Sequence, residues 1–484
     1  MSRPSNQERD AGTVDVAIVG AGLAGLITGA LLTRHGKRIA ILDQADVVGG
    51  RGGATRTASG YWIGFGHRDG HDVGDCQFPW HFGAEAARAA DVTIKLRRVA
   101  SPLRLHHLPD GDVLDGASWG ADGLLGGAVD WFECPPEEVD ELRRLVGTLA
   151  SASPAEREAA IPLLLGDWLE SNAPSAGVRR AVLRMATVIF HPAPEEASVG
   201  RLMQFLGAPG SGAFVADDDE AGGMQGLMEP WARAIRARGG EIALGWKPVE
   251  IVVEHGSVAG VVAVDRSNLV REIRAPVVVA AYPAWEVLEL LDERWLDPEV
   301  VQIARALHAH RADVIGWQAG LRRLPRLRAT GAIESHAGWN RFLRGPERAY
   351  GGGYQITSLL SRSAAPPGRH LLELAIARFF RGRANAAQPW PEARAELDAS
   401  IAYLQRFYAD LDECLEWSSY QLVAAPQSMS WSWAPVRRHG LESGLPGLLL
   451  AGSTIESPAR IVDIAAWAGL AAARRAEEIL GRPL

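Results

Sequence analysis

Gly20, Gly22 and Gly25 are spaced G-x-G-x-x-G, and Asp43 stands eighteen residues beyond the last of them. Glycines at that spacing let backbone approach a pyrophosphate, and a carboxylate placed there can accept from both hydroxyls of an adenosine ribose. The implied chemistry is the grip on a dinucleotide with an unphosphorylated ribose. For these residues to converge, the apolar run 14–19 must form a buried parallel strand, the glycine turn must open a helix ending near Gly36, and 38–42 must form the neighbouring strand. Such a helix start aims unpaired N–H groups and a positive dipole end at the phosphates. This unit alone does not separate NAD from FAD. A second turn, Gly49-Gly50-Arg51, follows the second strand directly.

The chain has 484 residues, more than one ordinary core accommodates, so two domains are expected. Its hydrophobic content of 47% and charged content of 22% are those of a soluble globular protein. A formal charge of −8 supplies no basic field for nucleic acid. Cys76, Cys134 and Cys414 are scattered without C-x-x-C spacing, which argues against a disulfide framework or zinc site and fits a reduced, cytoplasmic setting. The first twelve residues are polar and read as a short disordered lead. No apolar run reaches membrane-spanning length, which leaves peripheral membrane contact open. Lysine occurs only at 37, 95 and 247, so a mechanism needing lysine has few candidates.

The Gly49-Gly50-Arg51 turn resembles the GGR segment of the flavoprotein superfamily that contains amine oxidases, protoporphyrinogen oxidase and phytoene desaturases. In that family the segment lies along the FAD pyrophosphate. Glycines there permit close approach, and the guanidinium gives charge-assisted hydrogen bonds. Two further segments resemble the family in order. At 222–264, a helix over 227–238 ending at Gly239-Gly240 precedes three short strands, and a further strand spans 276–281; this is similar to the return of the chain to the FAD domain, and Val249 is implied to pack near the adenine. At 447–480, an apolar strand, Ala451-Gly452 and a long helix resemble the closing FAD contacts, which implicates Gly452, Ser453 and Ile461. The implied cofactor set is therefore Gly20, Gly22, Gly25, Asp43, Gly50, Arg51, Val249, Gly452, Ser453 and Ile461.

The expected fold is α/β: a Rossmann-like FAD-binding domain over 13–95, 220–285 and 440–484, with a discontinuous mixed α+β substrate domain over 96–219 and 286–439. The first insertion carries expected helices at 136–150, 154–171 and 176–190, and the acidic run 217–220 reads as an exposed junction. The glycine-rich stretch 207–212 lacks a surrounding strand-turn-helix unit, so no second dinucleotide module is expected.

A bound flavin accepts a hydride from carbon while the protein positions the bond. The stretch 361–372, SRSAAPPGRHLL, looks like the serine turn, A-P-x-G stretch and strand of phytoene desaturase relatives; an ordinary Pro-Gly loop is the plain alternative. That resemblance implies dehydrogenation, saturation or flavin-assisted isomerisation of a carbon–carbon bond in a hydrophobic small molecule. Oxidative deamination is the alternative, weakened because 306–321, where amine oxidases carry a lysine near the flavin, has none. A non-catalytic prenyl-protein binder resembling the Rab GDP-dissociation inhibitors is the third reading, disfavoured by the full cofactor set. The family's acid after Ala-Gly is replaced here by Ser453, with Thr454 and Glu456 nearby, and Gly64 stands where aspartate is common. The loop 66–75 is dense in ionisable groups, and His67 and Arg68 are the candidate catalytic residues, for proton transfer and anion stabilisation. Successive residues of a glycine-rich loop need not converge, so no metal is expected there. Trp431, Trp433, Tyr354 and Gln355 are the candidate pocket wall. The electron acceptor is not specified by any motif.

Overall fold

In a computed structural model of the chain, the described residues are 11–64, 81–99, 103–108, 111–117, 125–127, 129–189, 194–207, 213–216, 225–309, 312–344, 349–379, 390–427, 437–459 and 462–481. The apolar runs that read as parallel strands assemble into a five-stranded sheet in the order Glu241–Leu244, Ile39–Asp43, Val16–Val19, Val277–Ala280, Leu448–Leu450. All four pairings are parallel. Such a sheet must be covered on both faces. On one side lie helices Leu23–Arg34, Gln225–Ala237 and Val462–Ile479; on the other, an antiparallel sheet of Lys247–Glu254, Ser257–Val264 and Val270–Arg274 packs against it.

The helix Leu23–Arg34 is apolar nearly all round because it is enclosed nearly all round. Its closest neighbour is Val462–Ile479, where a Cβ on Gly469 would stand 2.7 Å from the Ala24 carbonyl oxygen. Only glycine permits that backbone approach.

A second sheet has seven strands, ordered Leu415–Gln427, Ala312–Leu321, His370–Phe379, Ala349–Ile356, Trp339–Arg344, Leu103–Leu108, Val113–Ala117. One face packs on helix Trp390–Phe407 through Ile315, Trp317, Leu372, Leu374, Tyr354 and Phe342. The first insertion contributes helices Val139–Ser151, Pro154–Ala159, Leu165–Asn172 and Ala176–Ile189. Where one helix was expected over 154–171 there are two. Pro162 falls at the break, where its ring cannot continue the hydrogen-bond ladder. No helix among the described residues is long and apolar enough to cross a membrane.

Candidate cofactor and active site

Four parallel strands deliver their carboxyl ends to one edge, where ligands of open α/β sheets bind. Gly20 follows the first, Asp43 ends the second, Ala281-Tyr282 follow the third and Ala451-Gly452 the fourth. The ladder continues one residue past the strands: Gly20 N–H donates to Leu42 O at 2.8 Å, Ala281 N–H to Val19 O at 2.8 Å and Ala451 N–H to Ala280 O at 2.9 Å. Gly20 (φ +106°) and Gly452 (φ +106°) then turn through the left-handed region that only glycine enters freely.

Within the first turn the three glycines do different work. A Cβ on Gly25 would stand 2.0 Å from Gly20 O, so this position closes the turn on the helix. A Cβ on Gly22 would meet no atom of the described residues within 4 Å, so that side of its backbone faces open space. The helix behind it has no side-chain cap and no acid in its first turn, which suits an anion. The second turn lies directly on the first. Gly49 N–H donates to Ala21 O at 2.8 Å, and a Cβ on Gly50 would be 3.2 Å from Gly22 Cα. Arg51 reaches on to donate to the Ser453 hydroxyl.

Asp43 is buried at the end of its strand, accepting from Ala21 N–H at 2.7 Å and Ala45 N–H at 2.8 Å. Burial pushes its carboxyl up, while these two donors oppose the shift. Each oxygen retains acceptor capacity, as a ribose diol requires. These features fit the adenosine-pyrophosphate half of FAD: Gly20, Gly22, Gly25, Gly50 and Arg51 would hold the phosphates and Asp43 the ribose. Gly452 and Ser453 join the same cradle. Val249 stands on strand Lys247–Glu254 at a register bulge and is 39% exposed. Ile461, His67, Arg68, Trp431 and Trp433 lie outside the described residues.

Several residues of this site carry no sequence motif. Asp463, buried in the first turn of the closing helix, accepts from His81, Phe82 and Gly83 N–H groups at 3.2, 3.0 and 2.8 Å, capping helix His81–Ala90. Arg438 is buried under the 453–455 loop and donates to Ser453 O at 3.0 Å and Ile455 O at 3.3 Å; burial brings its guanidinium down to about 9, with neighbouring Arg201 adding to the shift. Arg201 donates to Glu456 at 3.1 Å. Glu286, in the first turn of the helix after Tyr282-Pro283, is pushed up to about 7 by burial, with the charge of Arg51 opposing. None of these could be found from spacing, because each is placed by tertiary packing and not by a local motif.

The large sheet meets the nucleotide unit at hairpin Ala54–Arg56/Trp62–Gly64. Tyr61 packs edge-on against Trp417 with ring centres 5.1 Å apart and donates to Glu416 at 3.1 Å; Gln421 Nε2 donates to Gly64 O at 3.0 Å. The segment 361–372 belongs to the same junction, since Ala364, Ala365 and Leu371 bury Tyr61. The sheet face on this side is polar. Gln355 pairs in register with Glu373, Glu373 with Gln318 and Gln318 with Ser419, forming one row across four strands. Gln355, Glu373 and Gln318 are buried. Tyr354 needs correction as a pocket residue: strand alternation sends it to the opposite face, where it lies in the core and its hydroxyl pairs with that of Tyr408 at 3.0 Å. Gln355, its neighbour, lies on the polar face.

Residues 18–75 match the model of an NAD(P)-binding Rossmann-like domain, and residues 123–476 match that of flavin containing amine oxidoreductases. Comparison with curated proteins finds no match. Among solved structures, an oxidoreductase from Methanosarcina mazei aligns with TM-score 0.64 at 15% identity, covering 94% of this chain and 99% of its own. A putrescine oxidase bound to putrescine aligns with TM-score 0.60 at 16% identity, covering 97% and 99%. A Rab GDI from Plasmodium falciparum aligns with TM-score 0.53 at 11% identity, covering 98% and 100%. At such identities these three establish a shared fold. The family model spans most of the chain and the cradle fits its cofactor: the protein belongs to the flavin containing amine oxidoreductase family and is an FAD-dependent oxidoreductase.

Proposed function

We propose that the chain removes a hydride from a carbon atom of a small molecule held between the nucleotide-binding unit and the polar face of the seven-stranded sheet. FAD, when bound, supplies the hydride acceptor. The protein's part is to hold and orient. Backbone N–H groups around Gly22 and the Arg51 guanidinium bind the phosphates, Asp43 orients the ribose, and the junction of Tyr61, Trp417 and Gln421 fixes the sheet against the unit. The observation that carries the reading is the open face of Gly22 beside Arg51 and Asp43. A chain that only bound prenylated proteins would have no use for that set.

Two finer reactions compete. The 361–372 segment supports dehydrogenation, saturation or isomerisation of a carbon–carbon bond in a hydrophobic, elongated substrate. The row Gln355, Glu373, Gln318 and Ser419, whose first three members are buried, supports a substrate with a polar group, and so brings oxidative deamination forward despite the missing lysine. We take the row as the stronger guide, because buried polar groups on the face toward the cofactor junction cost free energy that a purely apolar ligand cannot recover. Anaerobic mixing with a panel of amines and a panel of polyenes, followed by flavin bleaching and product analysis, separates the two. Bleaching by amines supports deamination. Bleaching by polyenes alone, or isomerised polyene without bleaching, supports the carbon–carbon reading.

A further inference from the structure

Each residue of the loop 453–456, which follows the last strand of the nucleotide sheet, is bonded to one dipeptide, Arg438-His439. Arg438 Nη1 donates to Ser453 O at 3.0 Å and to Ile455 O at 3.3 Å, and His439 O accepts from Glu456 N–H at 2.8 Å. The imidazole takes the residue between. His439 Nδ1 faces the Gly440 carbonyl at 2.8 Å, which can only accept, so Nδ1 carries the proton and Nε2 accepts from the Thr454 hydroxyl at 3.0 Å. Burial brings this imidazole down to about 4, with the charge of Arg438 adding to the shift, and the ring stays uncharged at neutral pH. The segment carrying the dipeptide is itself pinned to the strand, since Leu450 N–H donates to Leu441 O at 2.8 Å and Glu442 bridges Leu449. Arg438, His439, Thr454 and Ile455 are buried, whereas Ser453 is half-buried and its hydroxyl receives Arg51.

We propose that Arg438 and His439 are positioning residues for the FAD pyrophosphate: by fixing the backbone of 453–456 they set the Ser453 hydroxyl against Arg51 and so aim that guanidinium at the phosphates. This rests on the cofactor assignment of Gly22, Arg51 and Asp43 and is independent of the substrate. Neither buried residue has to touch FAD, because each acts through the loop. A loop ordered in advance loses less conformational entropy when the cofactor binds.

The test uses the full-length protein freed of FAD, with ADP and adenosine as competitors of FAD uptake, since only ADP carries phosphates. Arg438→Met and Ser453→Ala are each expected to weaken ADP about tenfold and to leave adenosine unchanged. Arg438→Lys, which keeps a charge and a donor, should recover to within about threefold of wild type, and Thr454→Val, which removes only the hydroxyl bonded to His439, should lose about threefold. The double variant identifies the route. If Arg438 acts through Ser453, Arg438→Met combined with Ser453→Ala binds ADP no more weakly than either single variant. Losses that multiply would mean that Arg438 acts separately by its charge, and equal losses for ADP and adenosine would make the dipeptide a structural support. Either result, or wild-type ADP affinity in Arg438→Met, overturns the proposal. Should Arg438→Met fail to fold, Thr454→Val carries the test, and unchanged ADP affinity in it overturns the proposal equally. A wild type that takes up neither FAD nor ADP contradicts the cofactor assignment itself, whereas a wild type that takes up both and is matched by its variants contradicts only this inference.

Discussion

Arg51 donates to the hydroxyl of Ser453 across 402 residues of chain, joining the second glycine turn to the loop after the last strand of the nucleotide sheet. A serine accepts this bond without bringing a negative charge, so the Ser453 contact leaves the guanidinium's charge to act on a phosphate. An acid at the same position would hold Arg51 in an ion pair. Ser453→Asp is therefore expected to weaken FAD binding by about tenfold, the scale of one charge-assisted hydrogen bond, with little loss of thermal stability. Calorimetric titration of the apoprotein with FAD measures it, and unchanged affinity would mean Arg51 does not serve the phosphates.

Asp43 has a double task, bonding the backbone at Ala21 and Ala45 and meeting the ribose. Asp43→Ala should cost about 1.5 to 3 kcal/mol of FAD binding, typical for hydrogen bonds to a charged group, and also lower the apoprotein's unfolding temperature. A variant destabilised but with wild-type FAD affinity would confine Asp43 to the turn.

Glu286 sets a pH dependence. Its carboxyl is pushed up to about 7, chiefly by burial, and the charges of Glu289 and Asp43 raise it further while Arg51 opposes. A raised carboxyl favours the protonated folded state, so this contribution is complete below the ordinary carboxylate range and is lost as pH rises through about 7. A bound pyrophosphate adds negative charge and strengthens the preference for the proton. FAD affinity should therefore fall above neutrality, by up to about tenfold per pH unit from this one group. Glu286→Gln should flatten that limb. Fluorescence titrations of FAD across the range in both proteins give the comparison, and parallel profiles would assign the dependence elsewhere.

On the far face of the large sheet, Arg104 and Glu334 form a buried ion pair at 2.6 Å, with the Tyr408 hydroxyl donating to Glu334 at 2.8 Å. Burial pushes the Glu334 carboxyl up, but the hydrogen bond and charge of Arg104 outweigh it and hold the group below its usual range. Removing the acid leaves a buried guanidinium without this partner, so Glu334→Leu is expected to cost about 3 to 5 kcal/mol in denaturant unfolding. Its FAD content should be that of wild type, since the pair lies across the sheet from the cofactor edge. Loss below about 1 kcal/mol would show the pair to be dispensable.

Much of the candidate cofactor cradle was legible as geometry because its signals are local. The turn 20–25, the acid at 43 and the turn 49–51 fall within one strand-helix-strand stretch, where spacing translates directly into geometry. What escaped depends on tertiary packing. That Asp463 caps the helix beginning at His81, or that Arg438 lies under the loop of Ser453, cannot be read from residue types, since any buried arginine or first-turn acid has many bland roles. The Tyr354–Gln355 pair shows a subtler limit. The sequence marks both as a pocket wall, yet neighbouring strand residues face opposite sides. Which of the two meets the cofactor side is decided by helix Trp390–Phe407, whose apolar face takes the tyrosine.

The central claim is that the open backbone of Gly22 receives the FAD pyrophosphate, and the most direct measurement is the flavin content of purified wild type and Gly22→Val, read from visible absorbance alongside thermal unfolding of the apoproteins. A Cβ at residue 22 meets no atom of the described residues within 4 Å, so the variant should fold with little change in unfolding temperature. Wild type should be yellow with stoichiometric FAD, and Gly22→Val should be colourless and take up no added FAD. A wild type that stays colourless in excess FAD, or a variant that retains it fully, would contradict the account.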